Sequence, residues 1–442
     1  MTRLTDILVI LKGPASRTAL AVLALAGAGA LRGAPAPLSL ADAQRMALQR
    51  NADFRIAQSA VQAALGQLKA AREYPNPTLS LSTSKISTDG TPESTVLGNG
   101  LLSRSYDSIV SLSQLLPVGK RGLQRDAAAA GVHQAEFARD DARRLLLQAV
   151  TQAYAAALAA AAQADVLASS AEKLRQEAVI AAHRFQAGDL SESDRAQLEI
   201  AADQDELGAD AARATARTAV VTLEILLGDP APSGATALAD TLDAWYGGIS
   251  PDLEARPVGP RPDIAAAESA LAQSEAALTL QRRQRIPDVT ASVQFERNPA
   301  AQPDTVGVGL SLPLPLWDRF GGEIQAAKAA RDQSQAQLEK VRIQAAADVA
   351  AARVAFHEAY QRAGRYAGSL APKSARVEKS IAYSYEKGGA SLLDLLEAER
   401  SDNAVRLAAA QAKADAASAA VGLQSALGLL PEPAPNPSPS TP

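Results

Sequence analysis

The stretch DVTASVQFE (residues 288–296), followed after a turn by TVGVGLSLPLP (305–315), sets the architecture of this chain. In the first half Val289, Ala291, Val293 and Phe295 fall on one face, with Asp288, Thr290, Ser292, Gln294 and Glu296 on the other. A period of two is the signature of a β-strand. After the turn-rich segment from Arg297 to Asp304, Val306, Val308, Leu310, Leu312 and Leu314 alternate with Thr305, Gly307, Gly309 and Ser311. Two strands of one hairpin are therefore expected, at about 288–297 and 304–315. Each approaches the ~9–11 residues that a tilted strand needs to cross a bilayer, and the polar face carries charge. An earlier pair, at about 77–86 and 106–117, repeats the design less cleanly, with Leu79 and Leu81 opposite Thr78, Ser80, Ser82 and Ser84. In a membrane an open sheet edge leaves backbone groups unpaired, and four strands cannot enclose a lumen. The pattern implies a barrel shared between subunits; the competing reading is a pair of amphipathic hairpins packed on soluble helices.

The rest of the chain reads as helix. Of its 442 residues only 4% are aromatic and two are Met, while Ala fills runs such as 155–162, so close-packed helices fit better than a bulky globular core. The net charge of −4, with both signs interspersed, offers no basic stripe for nucleic acid. Cysteine is absent, which removes disulfides and thiolate metal sites. Residues 1–36 read as a secretory signal. Arg3, Lys12 and Arg17 precede or open a short apolar run, and Ala28-Gly29-Ala30 or Ala34-Pro35-Ala36 would serve as the cleavage site. Without a cysteine after that run, N-terminal lipid anchoring is not expected, and no later stretch reads as a spanning helix. Residues 430–442 are Pro-rich and read as a disordered tail.

Between these ends, Ser39 and Asp42 open an amphipathic helix with a possible break at Asn51, and Tyr74-Pro75-Asn76-Pro77 closes it. A long helix is expected over 118–187; seventy residues at the α-helical rise would span ~105 Å. Gly188 to Ser191 turns it into a return helix ending at Gly228, and a Pro/Gly-rich connection (229–261) holds Trp245. From Pro262 the plan begins again. Gly188, Ser191, Asp194, Glu199 and Gly228 recur two hundred positions later as Gly388, Ser391, Asp394, Glu399 and Gly428, and Phe185 recurs as Tyr385. The chain is thus a duplication, 37–228 and 262–429. Pro372 interrupts the second long helix and predicts a kink or two stacked helices there.

In this order the motifs resemble those of the TolC-like outer-membrane efflux proteins. They are Leu38-Ser39-Leu40-Ala41-Asp42-Ala43 with Asn51, Tyr74-Pro75-Asn76-Pro77, Arg261-Pro262-Asp263-Ile264, the two Gly-x-x-Ser-x-x-Asp turns and Leu312-Pro313-Leu314-Pro315-Leu316-Trp317-Asp318-Arg319. The last is most similar to the heavy-metal branch handling cobalt, zinc and cadmium. Ala52 departs from the family's usual proline. The resemblance implies a mainly α protein with a small β part: a homotrimer whose twelve-stranded barrel sits in outer-membrane lipid, continued by a periplasmic helical tunnel. It further implies docking to an inner-membrane pump, of the proton-driven resistance-nodulation-division type, through a periplasmic adaptor, with no cofactor. A soluble periplasmic coiled-coil adaptor or scaffold is the rival class; it shares the signal and the Ala-rich helices but leaves the alternating strands unexplained.

The candidate sites follow from the same comparison. Tyr385 and Asp194 match a family pair that bonds between the two helix turns and holds the duct shut, although the accompanying arginine is here Ala390. Gly188, Ser191, Gly388 and Ser391 mark turns expected to contact the adaptor. Asp394 and Glu397, three apart on one helix face, match acidic positions at the tunnel's narrowest point, where threefold symmetry would gather a carboxylate ring. Capping of the helix N-terminus is an equally simple role for acids there. Trp317 beside Arg319 reads as a membrane-interface anchor or as ordinary packing. His133, His183 and His357 lack partners at metal-binding spacing, and no nucleophile–base pair, phosphate loop or pocketed acid pair suggests an enzyme.

Overall fold

The computed structural model describes residues 37–84, 107–297 and 304–429. The signal, the 86–105 loop, the 298–303 turn and the C-terminal tail lie outside the described residues. Helix α1 (Leu40–Arg50) starts at Ser39, whose hydroxyl accepts from Asp42 N, and breaks at Asn51, which in turn caps α2 (Ala52–Arg72) through Phe54 N. Strands β1 (Thr78–Ser84) and β2 (Asp107–Leu116) follow. Then come α3 (Arg121–Gln186), α4 (Glu192–Leu226), the short α5 (Leu242–Gly247) and α6 (Pro262–Arg283). Strands β3 (Val289–Arg297) and β4 (Thr305–Ser311) lead to α7 (Gly321–Arg365), α8 (Ala371–Glu386) and α9 (Leu392–Ala426).

The strands form one antiparallel sheet in the order β1-β2-β3-β4, so the two expected hairpins are joined through β2–β3. The register aligns their apolar positions. Leu79 faces Leu112, Leu112 faces Val293, and Val293 faces Val308; Leu81, Val110, Phe295 and Val306 form the adjacent row. The alternate row holds Ser80, Ser111, Gln294 and Gly307. Strand β4 stops at Ser311, short of the expected Pro315. Pro313 and Pro315 have no N–H to donate to a ladder, so the alternation of Leu312 and Leu314 continues without pairing.

The 66 residues of α3 would extend ~99 Å at the helical rise, and α4, α6, α2 and α9 pack along it. Contacts between these helices are made largely by alanine: Ala157, Ala209, Ala416 and Ala417 are wholly buried. One correction concerns membrane helices, none of which the sequence predicted after the signal. An Ala-rich window of α3 is long and apolar enough to cross a membrane by length and composition, but half of it is buried within the chain, as a core helix requires. Where larger side chains enter, they knit the connection to the helices. Tyr154, fully buried, donates its hydroxyl to Leu38 O at 2.8 Å or Asp240 Oδ2 at 2.7 Å, and Trp245 meets its ring edge-on at 5.8 Å. Leu38 also bridges the connection in parallel, through Leu38 N to Ala237 O and Ala239 N to Leu38 O.

At Pro372 the expected interruption takes the form of a widened turn between α7 and α8. A π-turn over Tyr366–Leu370 runs directly into α8, and Ala371 N reaches back five residues to Tyr366 O. Widening one turn gives the proline ring room against the preceding carbonyls while the chain stays helical throughout.

Candidate functional site at the helix turns

At the far end from the sheet the two helical hairpins reverse with the same geometry. Gly188 (φ +83°) and Gly388 (φ +75°) occupy the left-handed region, where a side chain would be strained. In the first turn Gly188 N donates to Phe185 O and Asp189 N to Arg184 O; in the second, Gly388 N donates to Tyr385 O and Gly389 N to Ser384 O. Both sets satisfy the last carbonyls of the descending helix. Gly188, Ser191, Gly388 and Ser391 are all exposed.

The return helices differ at their first turn. Ser391 Oγ accepts from Asp394 N at 3.2 Å, while Asp394 Oδ2 accepts from Ser391 N at 2.9 Å and from Ser391 Oγ at 2.6 Å, a reciprocal capping box. Ser191 likewise caps Asp194 N at 3.1 Å, but its hydroxyl pairs with Ser193 Oγ, so the Asp194 carboxylate has no hydrogen-bond partner among the described residues. The bonds from Ser391 hold the Asp394 carboxyl below the usual carboxylate range. Asp394 therefore takes the capping role. Oδ1 makes no hydrogen bond among the described residues, and Glu397, exposed one turn on, has no partner there either.

Tyr385 and Asp194 approach each other without bonding. The Tyr385 ring packs on a cluster of Leu174, Ala181, Leu198, Ala201, Leu392 and Leu396, and Arg184 Cζ lies 5.9 Å from its centroid. Burial raises the phenol pKa, with Glu177 and Asp194 adding to the effect and Arg184 opposing it. The expected Tyr385–Asp194 hydrogen bond is thus absent from the single chain. Arg184, one turn before Gly188 on α3, is the group that meets the ring face instead. In the first repeat Arg195 covers Phe185 in the same manner, at 4.7 Å.

Further along, the sequence reading missed a buried acidic pair. Glu399 and Asp402 on α9 are 8% and 3% exposed, and Glu399 Oε2 and Asp402 Oδ1 are buried without a hydrogen-bond partner. Burial foremost, with Glu378, Glu177 and Asp205 adding to it and Lys173 opposing, holds the Glu399 carboxyl up at about 7. Lys173 itself bridges to Glu378 at 3.3 Å, and Asp402 to Arg406 at 2.6 Å. The signal was available: Leu392, Leu395, Leu396, Glu399 and Asp402 follow helical three-four spacing, placing two acids on an apolar stripe. Among the described residues no group of three or more potential ligands converges to hold a metal ion. At the surface His133 pairs with Glu136 and His357 with Glu254.

The sheet-to-tip arrangement, duplicated in one chain, is shared with known proteins. The family described as "Outer membrane efflux protein" matches residues 43–229 and 259–429. The chain belongs to that family. Its members are channels of the Gram-negative outer membrane that extend into the periplasm and work with periplasmic adaptors and inner-membrane pumps. Among curated proteins it is similar to the cobalt-zinc-cadmium resistance protein CzcC of Cupriavidus metallidurans, 24% identical over 372 residues, covering 84% of this chain and 85% of CzcC. Among solved structures, the CmeC outer membrane channel of Campylobacter jejuni superposes with a TM-score of 0.70 at 20% identity, covering 88% of this chain and 85% of that one. VceC of Vibrio cholerae gives 0.69 at 19%, covering 88% and 96%. CusC, described for transmembrane channel formation, gives 0.72 at 18%, covering 88% and 92%. The fold is therefore that of the efflux channels, a helical tunnel carried on a barrel.

Proposed function

We propose that the protein is the passive exit duct of a tripartite metal-efflux system, a homotrimer that conducts divalent cations from an inner-membrane pump and its adaptor to the exterior. The observation that carries the reading is the sheet: its apolar side chains line one exposed face in register, and β1 and β4 are edges without a neighbouring strand among the described residues. A bilayer tolerates neither open edges nor a flat polar face, so β4 of one chain must pair with β1 of the next, and three chains give a twelve-stranded barrel. Soluble hairpins would instead bury those apolar positions, yet Val308 is 85% and Leu310 75% exposed. The likeness to CzcC over most of both chains favours cobalt, zinc and cadmium as cargo. The energy source belongs to the pump, for which a proton-driven resistance-nodulation-division transporter is the fitting class.

In this reading the exposed turns at Gly188, Ser191, Gly388 and Ser391 meet the adaptor. Asp394 and Glu397 supply a cation-attracting ring, since the capping of Asp394 keeps its carboxyl ionised and leaves one oxygen free. Trp317 anchors the barrel's periplasmic rim. Two measurements test the whole. Expressed with its pump and adaptor in a channel-deficient host, the protein should restore growth on cobalt, zinc or cadmium salts, and unchanged sensitivity to all three would overturn the metal assignment. The double variant Val308→Arg with Leu310→Arg should lose detergent-stable trimer from the outer membrane, at about 2–4 kcal/mol per midplane arginine. Normal assembly of that variant would overturn the barrel.

A further inference from the structure

We infer that the periplasmic rim of the barrel is a binding surface for anionic phospholipid headgroups. The inference rests on the barrel reading above and extends it to a ligand class. Where the sheet joins the helices, residues 72–76, 117–126, 282–288 and 312–319 carry eight Arg or Lys side chains and four carboxylates, in a chain whose net charge is −4. The cations are largely uncompensated. Lys120, almost fully buried, takes Asp288 at 2.9 Å, and Arg125 takes Asp126; Arg72, Arg121, Arg282, Arg283, Arg285 and Arg319 pair with no carboxylate among the described residues.

Several of these groups rest on backbone or a ring face rather than on a carboxylate. Arg121 Nη2 donates to Arg72 O at 2.7 Å while its guanidinium lies 3.4 Å from the centroid of the exposed Tyr74 ring. Arg283 lies over the next turn, so near that a Cβ on Gly119 would stand 2.6 Å from its Nη2. Arg285 Nε donates to Arg319 O at 3.2 Å. The Nε atoms of Arg121 and Arg283 are buried without a hydrogen-bond partner. A guanidinium without a counter-charge is a ready partner for an anionic oxygen.

The neighbouring apolar side chains say which anion. Leu314, Leu316 and Trp317 continue from β4 beyond its last ladder residue and are exposed, Trp317 at 93%. A tryptophan at the end of a membrane strand lies at headgroup depth, and leucines above it meet acyl chain. Arg319 follows Trp317 and Asp318 in the chain, and its carbonyl accepts from Arg285 Nε. That order, apolar, then indole, then guanidinium, matches a glycerophospholipid from chain to phosphate. A net negative headgroup gains most from it, because each basic residue near a membrane surface attracts anionic lipid. The helices leave the sheet at this end, so the lipid is that of the periplasmic leaflet.

The test uses purified trimer reconstituted in nanodiscs of equal phosphatidylglycerol and phosphatidylethanolamine, extracted in mild detergent, with retained lipid counted by native mass spectrometry. Wild type should retain phosphatidylglycerol preferentially. Arg282→Gln, Arg285→Gln and Arg319→Gln should each weaken that retention about fivefold, and the matching Lys variants by less. The wild-type preference should also decline with added salt, a readout that holds if a Gln variant fails to fold. Equal retention of both lipids by wild type, or an undiminished preference in the Gln variants, would overturn the surface. Displacement of the lipid by millimolar inorganic phosphate would reduce it to a simple anion site. Failure of the wild type to enter nanodiscs at all would count against the barrel instead.

Discussion

A carboxyl withdrawn from water and set among other carboxyls favours its neutral form, and Glu399 is placed in that way. Glu177 and Lys173 face it from α3, Asp205 from α4 and Glu378 from α8, with Asp402 on its own helix. Its pKa rises from 4.5 to about 7, so the folded state binds the proton more tightly than the unfolded chain. The resulting stabilisation is fully present below pH 4.5 and is lost as pH rises toward 7. Thermal unfolding of the trimer across that window should show stability falling by roughly 2–4 kcal/mol per chain from this group. Glu399→Gln, which keeps the shape and cannot ionise, should flatten the slope and raise the melting temperature at pH 8; an unchanged slope would remove Glu399 as its source. The sequence made the repeat of Glu199 by Glu399 visible, but its burial depends on helices two hundred residues away in the chain. The Arg184–Tyr385 contact was hidden for the same reason: it joins the last turn of α3 to that of α8, two hundred residues apart in the chain.

Elements were far more legible, because their ends are local chemistry. Ser39, Asn51, Ser191 and Ser391 cap helices where a hydroxyl or amide at that position is expected to, and Gly188 and Gly388 supply the left-handed turn. The strand faces were legible from alternation, since a period of two needs no knowledge of the partner. Two things were not. The β2–β3 pairing closes over residues 117–288, and the π-turn before Pro372 is one of several ways a helix can absorb a proline. The caps themselves differ in a testable way. Ser391 takes part in a reciprocal box and Ser191 in a single backbone bond. Ser391→Ala should cost about 1–2 kcal/mol and Ser191→Ala about half as much. Amide hydrogen exchange in the first turns of α9 and α4 measures the difference; equal losses would mean the second bond contributes nothing.

At the scale of the whole molecule, the acids beside the second turn become, in the proposed trimer, a threefold set. With Asp394 ionised and Glu397 exposed, a trimer would bring six carboxylates to the narrow end of the tunnel. Closely spaced like charges in a pore focus the field and admit cations over anions. Asp394→Asn with Glu397→Gln should therefore lower the cation-to-anion permeability ratio in planar bilayers and relieve block by trivalent cations. Asn retains a capping oxygen, so trimer stability should shift by only a few tenths of a kcal/mol. Reversal potentials identical to wild type in channels that still open would return both residues to the role of helix ends.

The alanine that lets these helices lie so close has a consequence for how the chain tolerates change. In most proteins the costly core substitution is the one that empties space. Here Ala157, Ala209, Ala363, Ala416 and Ala417 are wholly buried and have only one carbon to lose. Trimming one to glycine costs about 0.5–1 kcal/mol, mostly through backbone freedom, whereas any enlargement forces two helices apart at about 1–3 kcal/mol or more. Most single-base changes from an alanine codon enlarge the side chain. The interior wall is thus fragile to growth and nearly indifferent to loss, and the variation that a lineage of such proteins can accumulate is pushed outward, to the solvent faces and the turns that meet other molecules.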